Sequence, residues 1–206
     1  MLQPRSAALS LAALALIWAE TGATGAEASA DPVELMDRAV EMLDRGETLE
    51  ALQVADDAFF AVWQRLPLAF RRIELIDTAP EGYDRVAPRE DNAYAPGQEI
   101  SIYVDPVGFG WRQGGDGWET DLTADFILST PEGRIIAGQK DFGEFRIRSP
   151  QRARESFLVI NYRFTGVPAG DYILTTTVHD RIDEEEAAFE TAIEIRPDGA
   201  ASTAVR

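Results

Sequence analysis

The side chains with the most scope for chemistry are gathered in residues 103–119, YVDPVGFGWRQGGDGWE, where Phe109, Trp111 and Trp118 stand among glycines with Asp105, Arg112 and Asp116 close by. Flat aromatic faces beside charged groups suit stacking on a sugar or receiving an apolar side chain from a partner. Gly108, Gly110 and Gly114 come near the spacing of a dinucleotide-binding loop, but that chemistry needs a helix N-terminus facing the phosphates. The residues that follow, DLTADFILS, alternate as a strand, and the lysine of a P-loop is missing. Nucleotide binding is not expected. The stretch is a loop between two strands whose aromatics either seal an edge of the fold or touch a partner. Phe109, Trp111, Arg112 and Trp118 are the candidate contact residues.

Other constellations are thinner. His179 is the sole histidine. A serine triad would have to use it, yet there is no G-x-S-x-G; a zinc site would need carboxylates for every other ligand. The run Asp180-Arg181-Ile182-Asp183-Glu184-Glu185-Glu186 concentrates oxygen ligands of the kind calcium prefers, which makes Asp180, Asp183 and Glu184 candidate metal ligands. It has no EF-hand spacing and no central glycine, and a solvated hairpin loop is the competing reading. A glycosidase needs only two carboxylates, but with 36 acidic residues in the chain such pairs arise by accident. Arg146, Arg148, Arg152 and Arg154 form a basic patch that either docks an acidic partner or balances acidic helices within the fold. No catalytic motif emerges and no cofactor is implied, so the expectation is a non-catalytic protein.

Composition narrows the partners. The formal net charge is −17, which repels phosphate backbones and anionic lipid headgroups. The chain has no cysteine, so its stability rests on its core alone. Residues 1–30 hold Arg5, an apolar run from Ala7 to Ala19, and small residues ending Ala28-Ser29-Ala30, the order of a secretory signal peptide cleaved before Asp31. The apolar run is too short for a transmembrane helix, which needs roughly 20 residues. No membrane anchor is expected after cleavage. Lys140 is the only lysine among many arginines, a bias of GC-rich bacterial genomes, and the predicted location is periplasmic or secreted.

Two elements follow the leader. Asp31 can cap a helix with Pro32 at its first position, and Met36, Ala39, Val40 and Leu43 recur at helical spacing before Gly46. Leu52, Ala55, Phe59, Val62 and Leu66 make a second stripe that Pro67 stops. The stretch LDRGETLEALQVADDAF, with Gly46 at the turn and Ala51 and Ala58 at close-contact positions, resembles the second half of a tetratricopeptide repeat. There is no second copy, and repeats need stacked neighbours to bury their faces. The expectation for residues 31–67 is therefore a helical hairpin that packs on the following domain or caps it.

From residue 68 the period changes to alternation. Strands are predicted at 68–76, 99–105, 121–129, 134–142, 155–164, 172–178 and 187–195, with a long loop at 77–98 and a disordered tail over 197–206. About seven short strands without intervening helices predict an antiparallel β-sandwich over 68–196. Val167-Pro168-Ala169-Gly170-Asp171-Tyr172 resembles the tyrosine corner of fibronectin type III and immunoglobulin-like domains. The resemblance implies that the Tyr172 hydroxyl bonds back to nearby backbone. The predicted fold is mainly β, an immunoglobulin-like sandwich behind an α-helical hairpin. The predicted role is an envelope binding or interaction module whose partner is an unidentified protein or glycan, with a carbohydrate-binding protein or a calcium-binding sandwich as alternatives.

Overall fold

The computed structural model describes residues 31–115 and 117–197. The leader assigned to residues 1–30, Asp116 and the tail beyond residue 197 lie outside them.

Helix α1 spans Pro32–Asp44 and α2 spans Thr48–Trp63. Asp31 accepts a hydrogen bond from Val33 N at 2.9 Å, satisfying one of the amides that a helix start leaves open. Gly46, at φ +79°, makes the turn between the helices. Between the helices the alanines Ala39, Ala51 and Ala58 are buried together with Met42 of α1.

The apolar stripes behave differently from the expectation. Met36, Val40, Leu43, Leu52, Val62 and Leu66 are exposed, and α2 instead buries Phe60, Ala61 and Trp63. Helical spacing shows which side chains share a face but not whether anything covers it, and the sandwich covers only one end of the hairpin.

Among the described residues nine strands follow: β1 Ala69–Ile76, β2 Ala93–Tyr94, β3 Glu99–Val107, β4 Arg112–Gly114, β5 Gly117–Ser129, β6 Ile135–Ser149, β7 Leu158–Arg163, β8 Gly170–Asp180 and β9 Glu186–Ile195. All seven predicted strands are present. The two additional ones are short: β2 runs parallel to β9, and β4 folds back on the start of β5. Strand β6 is longer than its alternation suggested, because it continues through Arg146 and Arg148, whose charges hid the pattern.

One sheet has the order β1-β3-β7, the other β2-β9-β8-β5-β4, with β6 also pairing with β5. Apart from the β2–β9 contact, every pairing is antiparallel. Ile100, Ile102 and Val104 of β3 and Leu158, Ile160 and Tyr162 of β7 enter the core from the first sheet. Leu122, Ala124 and Leu128 of β5, Leu174 and Val178 of β8, and Ile193 of β9 enter it from the second. The period-2 alternation of each strand thus builds one apolar layer between two sheets, an immunoglobulin-like β-sandwich.

Some of its buried polar groups are paired, whereas the hydroxyls of Tyr94, Thr120, Thr130 and Thr191 are enclosed without a partner among the described residues. Tyr162 Oη and Thr176 Oγ1 lie 2.6 Å apart. The Tyr172 hydroxyl donates to the Pro168 carbonyl at 2.8 Å, closing the turn that leads into β8. Arg163 reaches back from β7 to the Gly97 carbonyl and Glu99. The 77–98 loop adds a core residue that its composition did not announce: Tyr94 is buried beneath Arg89, whose guanidinium carbon lies 4.5 Å from its ring centroid.

Candidate functional site

The 103–119 stretch sits where the helical hairpin meets the end of the sandwich. The indole N–H of Trp63, the last residue of α2, donates to the Phe109 carbonyl at 2.8 Å, and the two rings meet edge to face at 5.3 Å. Gly108 lies so close to the hairpin that a Cβ there would stand 2.3 Å from the Pro67 carbonyl oxygen. Glu185 reaches up from the β8–β9 loop to accept the Leu68 amide at 2.6 Å.

Two arginines of the 150–157 segment close the junction from the other side. The Arg152 guanidinium lies 3.9 Å from the Phe60 ring centroid and 5.0 Å from that of Trp118, and donates to Asp57 at 3.1 Å. Arg154 stacks over Phe59 at 4.7 Å and lies 3.9 Å from Asp56. Arg146 and Arg148 pair with Asp121 and Glu119. Each of the four arginines therefore has a carboxylate partner within the molecule, two of them on α2, although Arg146, Arg148 and Arg154 remain largely exposed.

This geometry separates the four candidate contact residues. Phe109 is only 1% exposed and packs against Trp63 and Trp111, so it is a core residue and cannot meet a partner. Its burial depends on Trp63, which is 46 positions away in the chain. Trp111 is half-buried, with its indole nitrogen enclosed and lacking an acceptor. Arg112 is exposed but paired with Glu119 at 2.5 Å, and this hydrogen bond, aided by Arg148, holds the Glu119 carboxyl below its usual range. Trp118 is half-buried and lines an open groove of 260 Å³ with Glu119, Arg148 and three glycines. A smaller cavity of 70 Å³ lies among Trp63, Trp111, Trp118, Arg152 and Asp183. Asp105, from the same stretch, is buried against Arg71 at 3.1 Å and the Tyr83 hydroxyl at 3.2 Å; burial pushes its carboxyl up despite Arg71.

The acidic run at the β8–β9 turn divides as well. Asp180 is buried and its carboxylate accepts three backbone amides: Gly110 at 2.5 Å, Ile182 at 2.8 Å and Asp183 at 3.4 Å. Its oxygens tie the 103–119 loop to the β8–β9 turn. Asp183 lies against Gly110, where a Cβ would come within 2.7 Å of its carboxyl carbon. Burial, with Asp180 and Glu185 close by, pushes the Asp183 carboxyl up. Glu184 is exposed at φ +58°. Among the described residues no group of three or more histidine, cysteine, aspartate or glutamate side chains converges to hold a metal ion. Asp180→Ala is expected to strand a buried amide and to cost about 1–3 kcal/mol in denaturant titration. Asp180→Asn, which keeps an acceptor, should recover part of that loss; equal stability of all three proteins would contradict the role.

His179 points between two carboxylates, with Nε2 3.1 Å from Asp125 and Nδ1 3.1 Å from Glu186. Burial alone would raise the Asp125 carboxyl, but the Asp141 amide at 2.7 Å and His179 outweigh it, so its pKa is lowered. A lowered folded-state value means the stabilisation is complete above the unfolded value and is lost as pH falls through the folded one. The stability difference between wild type and Asp125→Asn should thus shrink as pH falls below the ordinary value of 3.8. A difference unchanged down to about pH 2 would contradict this pairing.

Fold and site together define an immunoglobulin-like β-sandwich with a helical hairpin clasped to one end by Trp63, Arg152 and Arg154. No protein-family model matches the chain, and no curated protein matches it in sequence. Among solved structures it is similar to the sporulation control protein Spo0M of Bacillus subtilis, at 13% identity and a TM-score of 0.34, over 64% of this chain and 50% of that one. The C-terminal domain of Wzt matches at 8% identity and a TM-score of 0.37, over 66% and 85% of the two chains. The fibronectin(III)-like modules of Clostridium thermocellum CbhA match at 12% and 0.28, over 64% and 47%. This chain thus spans half the length of the Spo0M chain, and likeness at this level transfers no activity.

Proposed function

We propose that this protein is a non-catalytic, exported interaction module of the bacterial envelope, in which the sandwich holds the helical hairpin out toward a partner protein. The observation that carries the reading is the concentration of exposed apolar side chains on the hairpin. Val33, Met36, Val40, Leu43, Leu49, Leu52, Val62 and Leu66 are exposed there, whereas the sandwich contributes only Ile127 and Ile135 to the large exposed hydrophobics of the described residues. Isolated exposed leucines are ordinary, but a cluster on one element marks a surface that another molecule covers. The leader-like composition of residues 1–30 supports export, and the tetratricopeptide-like turn at Gly46 with Ala51 and Ala58 suits a helix pair built to receive a further element.

Two measurements test it. Fractionation of expressing cells with N-terminal sequencing should find a chain beginning at Asp31 outside the cytoplasm; a full-length cytoplasmic product would contradict export. A partner co-purifying with wild type should be lost from Leu49→Ser/Leu52→Ser at unchanged melting temperature, and equal retention would contradict the binding role.

A second reading, glycan contact, is favoured by the open groove at Trp118, where an indole, the Glu119 carboxylate and Arg148 line one cavity. It requires glycan-array binding that Trp118→Ala abolishes.

A further inference from the structure

The hairpin's exposed face has a chemistry of its own. On α2, Leu49, Leu52, Phe59 and Trp63 fall at intervals of three, seven and four residues, which places them on one side of the helix. The C-terminal part of this stripe is already a docking surface: Phe59 lies under Arg154, and Trp63 packs on Phe109. Its N-terminal part carries on past the sandwich with nothing over it, leaving Leu49 77% and Leu52 63% exposed. On α1, Val33, Met36, Val40 and Leu43 fall within one arc of the helix, and all four are exposed.

Acidic side chains border these stripes. The hairpin's own ion pairs involve Glu47, Asp56 and Asp57. Glu34, Asp37, Glu41, Asp44 and Glu50 have no ion pair among the described residues, and Arg38 is the only cation on α1. A molecule that covers the leucines must come close to these carboxylates.

We propose that the hairpin is a receptor for a basic amphipathic helix of a partner protein, which lays its apolar stripe on Leu49, Leu52 and the exposed face of α1 while its Lys and Arg side chains meet the unpaired carboxylates. This rests on the reading of the hairpin as an interaction surface. An amphipathic helix binds by laying its apolar side on an apolar surface, and a border of opposite charge orients it. A second copy of the chain suits the face poorly, since it would bring the same carboxylates against each other in a protein of net charge −17. An anionic lipid surface meets the same repulsion. With α1 13 residues long, a matching helix needs roughly four turns, about 14 residues.

The test uses the full chain and three labelled 14-residue peptides followed by fluorescence anisotropy: a Leu/Lys peptide with leucines at helical spacing, the same peptide with Glu for Lys, and a scrambled Leu/Lys peptide of identical composition. The patterned Leu/Lys peptide should bind most tightly, and its affinity should fall with salt. Loss of two leucine contacts should weaken it about tenfold or more in Leu49→Ser/Leu52→Ser, while Glu34→Gln/Glu41→Gln should flatten the salt dependence. Equal binding of the scrambled or the Glu-bearing peptide would overturn the proposal. So would a dimer in sedimentation that the serine variant abolishes, because the occupant would then be a second copy. If the patterned peptide fails while a partner still crosslinks to position 52 in cells, the basic helix is refuted and the interaction surface stands; if both fail, both fall.

Discussion

Trp63→Ala is expected to lower the stability of the protein by about 3–5 kcal/mol, the cost typical of emptying a buried aromatic site. Trp63 contacts both neighbours of the junction: its ring packs at 5.8 Å on Phe59 and at 5.3 Å on Phe109, and its indole N–H satisfies the Phe109 carbonyl. Removing it opens a cavity and strands a buried acceptor in the same step. Because the strands of both sheets keep their own core contacts, the variant should retain β-sheet circular dichroism while the hairpin loosens. Trp63→Phe keeps part of the packing but not the N–H, so it should fall between the two in denaturant titration. A loss below about 1 kcal/mol for Trp63→Ala would mean that the hairpin is not clasped to the sandwich.

Gly108→Ala should be comparably damaging, for a backbone reason. Gly108 has φ +76°, and its Cβ would meet the Pro67 carbonyl oxygen at 2.3 Å, the Pro67 carbonyl carbon at 2.9 Å and the Leu66 carbonyl oxygen at 3.0 Å. These are backbone atoms of the segment joining hairpin to sandwich, and no side-chain rotation relieves them. Gly46 provides the internal control: φ is +79°, yet nothing lies within 4 Å of a Cβ there. Gly46→Ala should therefore show the left-handed backbone cost alone, about 1–2 kcal/mol. Gly108→Ala should add an overpacking cost of about 1–3 kcal/mol. Equal losses at the two positions would contradict the close approach of hairpin and sandwich.

The sandwich was legible in the sequence because each strand carries its own evidence. The alternations Ile100-Ile102-Val104, Leu158-Ile160-Tyr162 and Tyr172-Leu174-Thr176-Val178 state which side chains face inward, and all of these are buried. Such alternation fails where charged residues continue a strand, as with Arg146 and Arg148 in β6, and where a pairing is only two residues long, as at Ala93–Tyr94. The helices exposed the limit of period-based reading. Val40 and Leu52 have the spacing of core residues, yet burial depends on whether the sandwich reaches them, and that is a tertiary fact.

The site was legible in part. Residues 103–119 do form a junction of two elements, but their sequence could not show that Trp63 would bury Phe109, or that Asp180 would spend its carboxylate on the Gly110 amide 70 positions earlier. Asp180, Asp183 and Glu184 look alike in an acidic run, and only the fold distinguishes a buried acceptor from a solvated neighbour. The four arginines between 146 and 154 show the reverse. The expectation that they could balance acidic helices matches the pairing of Arg152 with Asp57, whereas their stacking on Phe59, Phe60 and Trp118 was not foreseeable.

On the function proposed above, the hairpin's apolar face is where this protein meets its partner. The most direct measurement is photo-crosslinking in cells, with a photoreactive amino acid replacing Leu52 on the hairpin or, as control, Ile127 on the sandwich, which is also exposed. We expect a discrete protein adduct from position 52, none from position 127, and loss of the adduct when Leu49→Ser is added. Adducts of equal yield from both positions, or an adduct from position 127 alone, would contradict it.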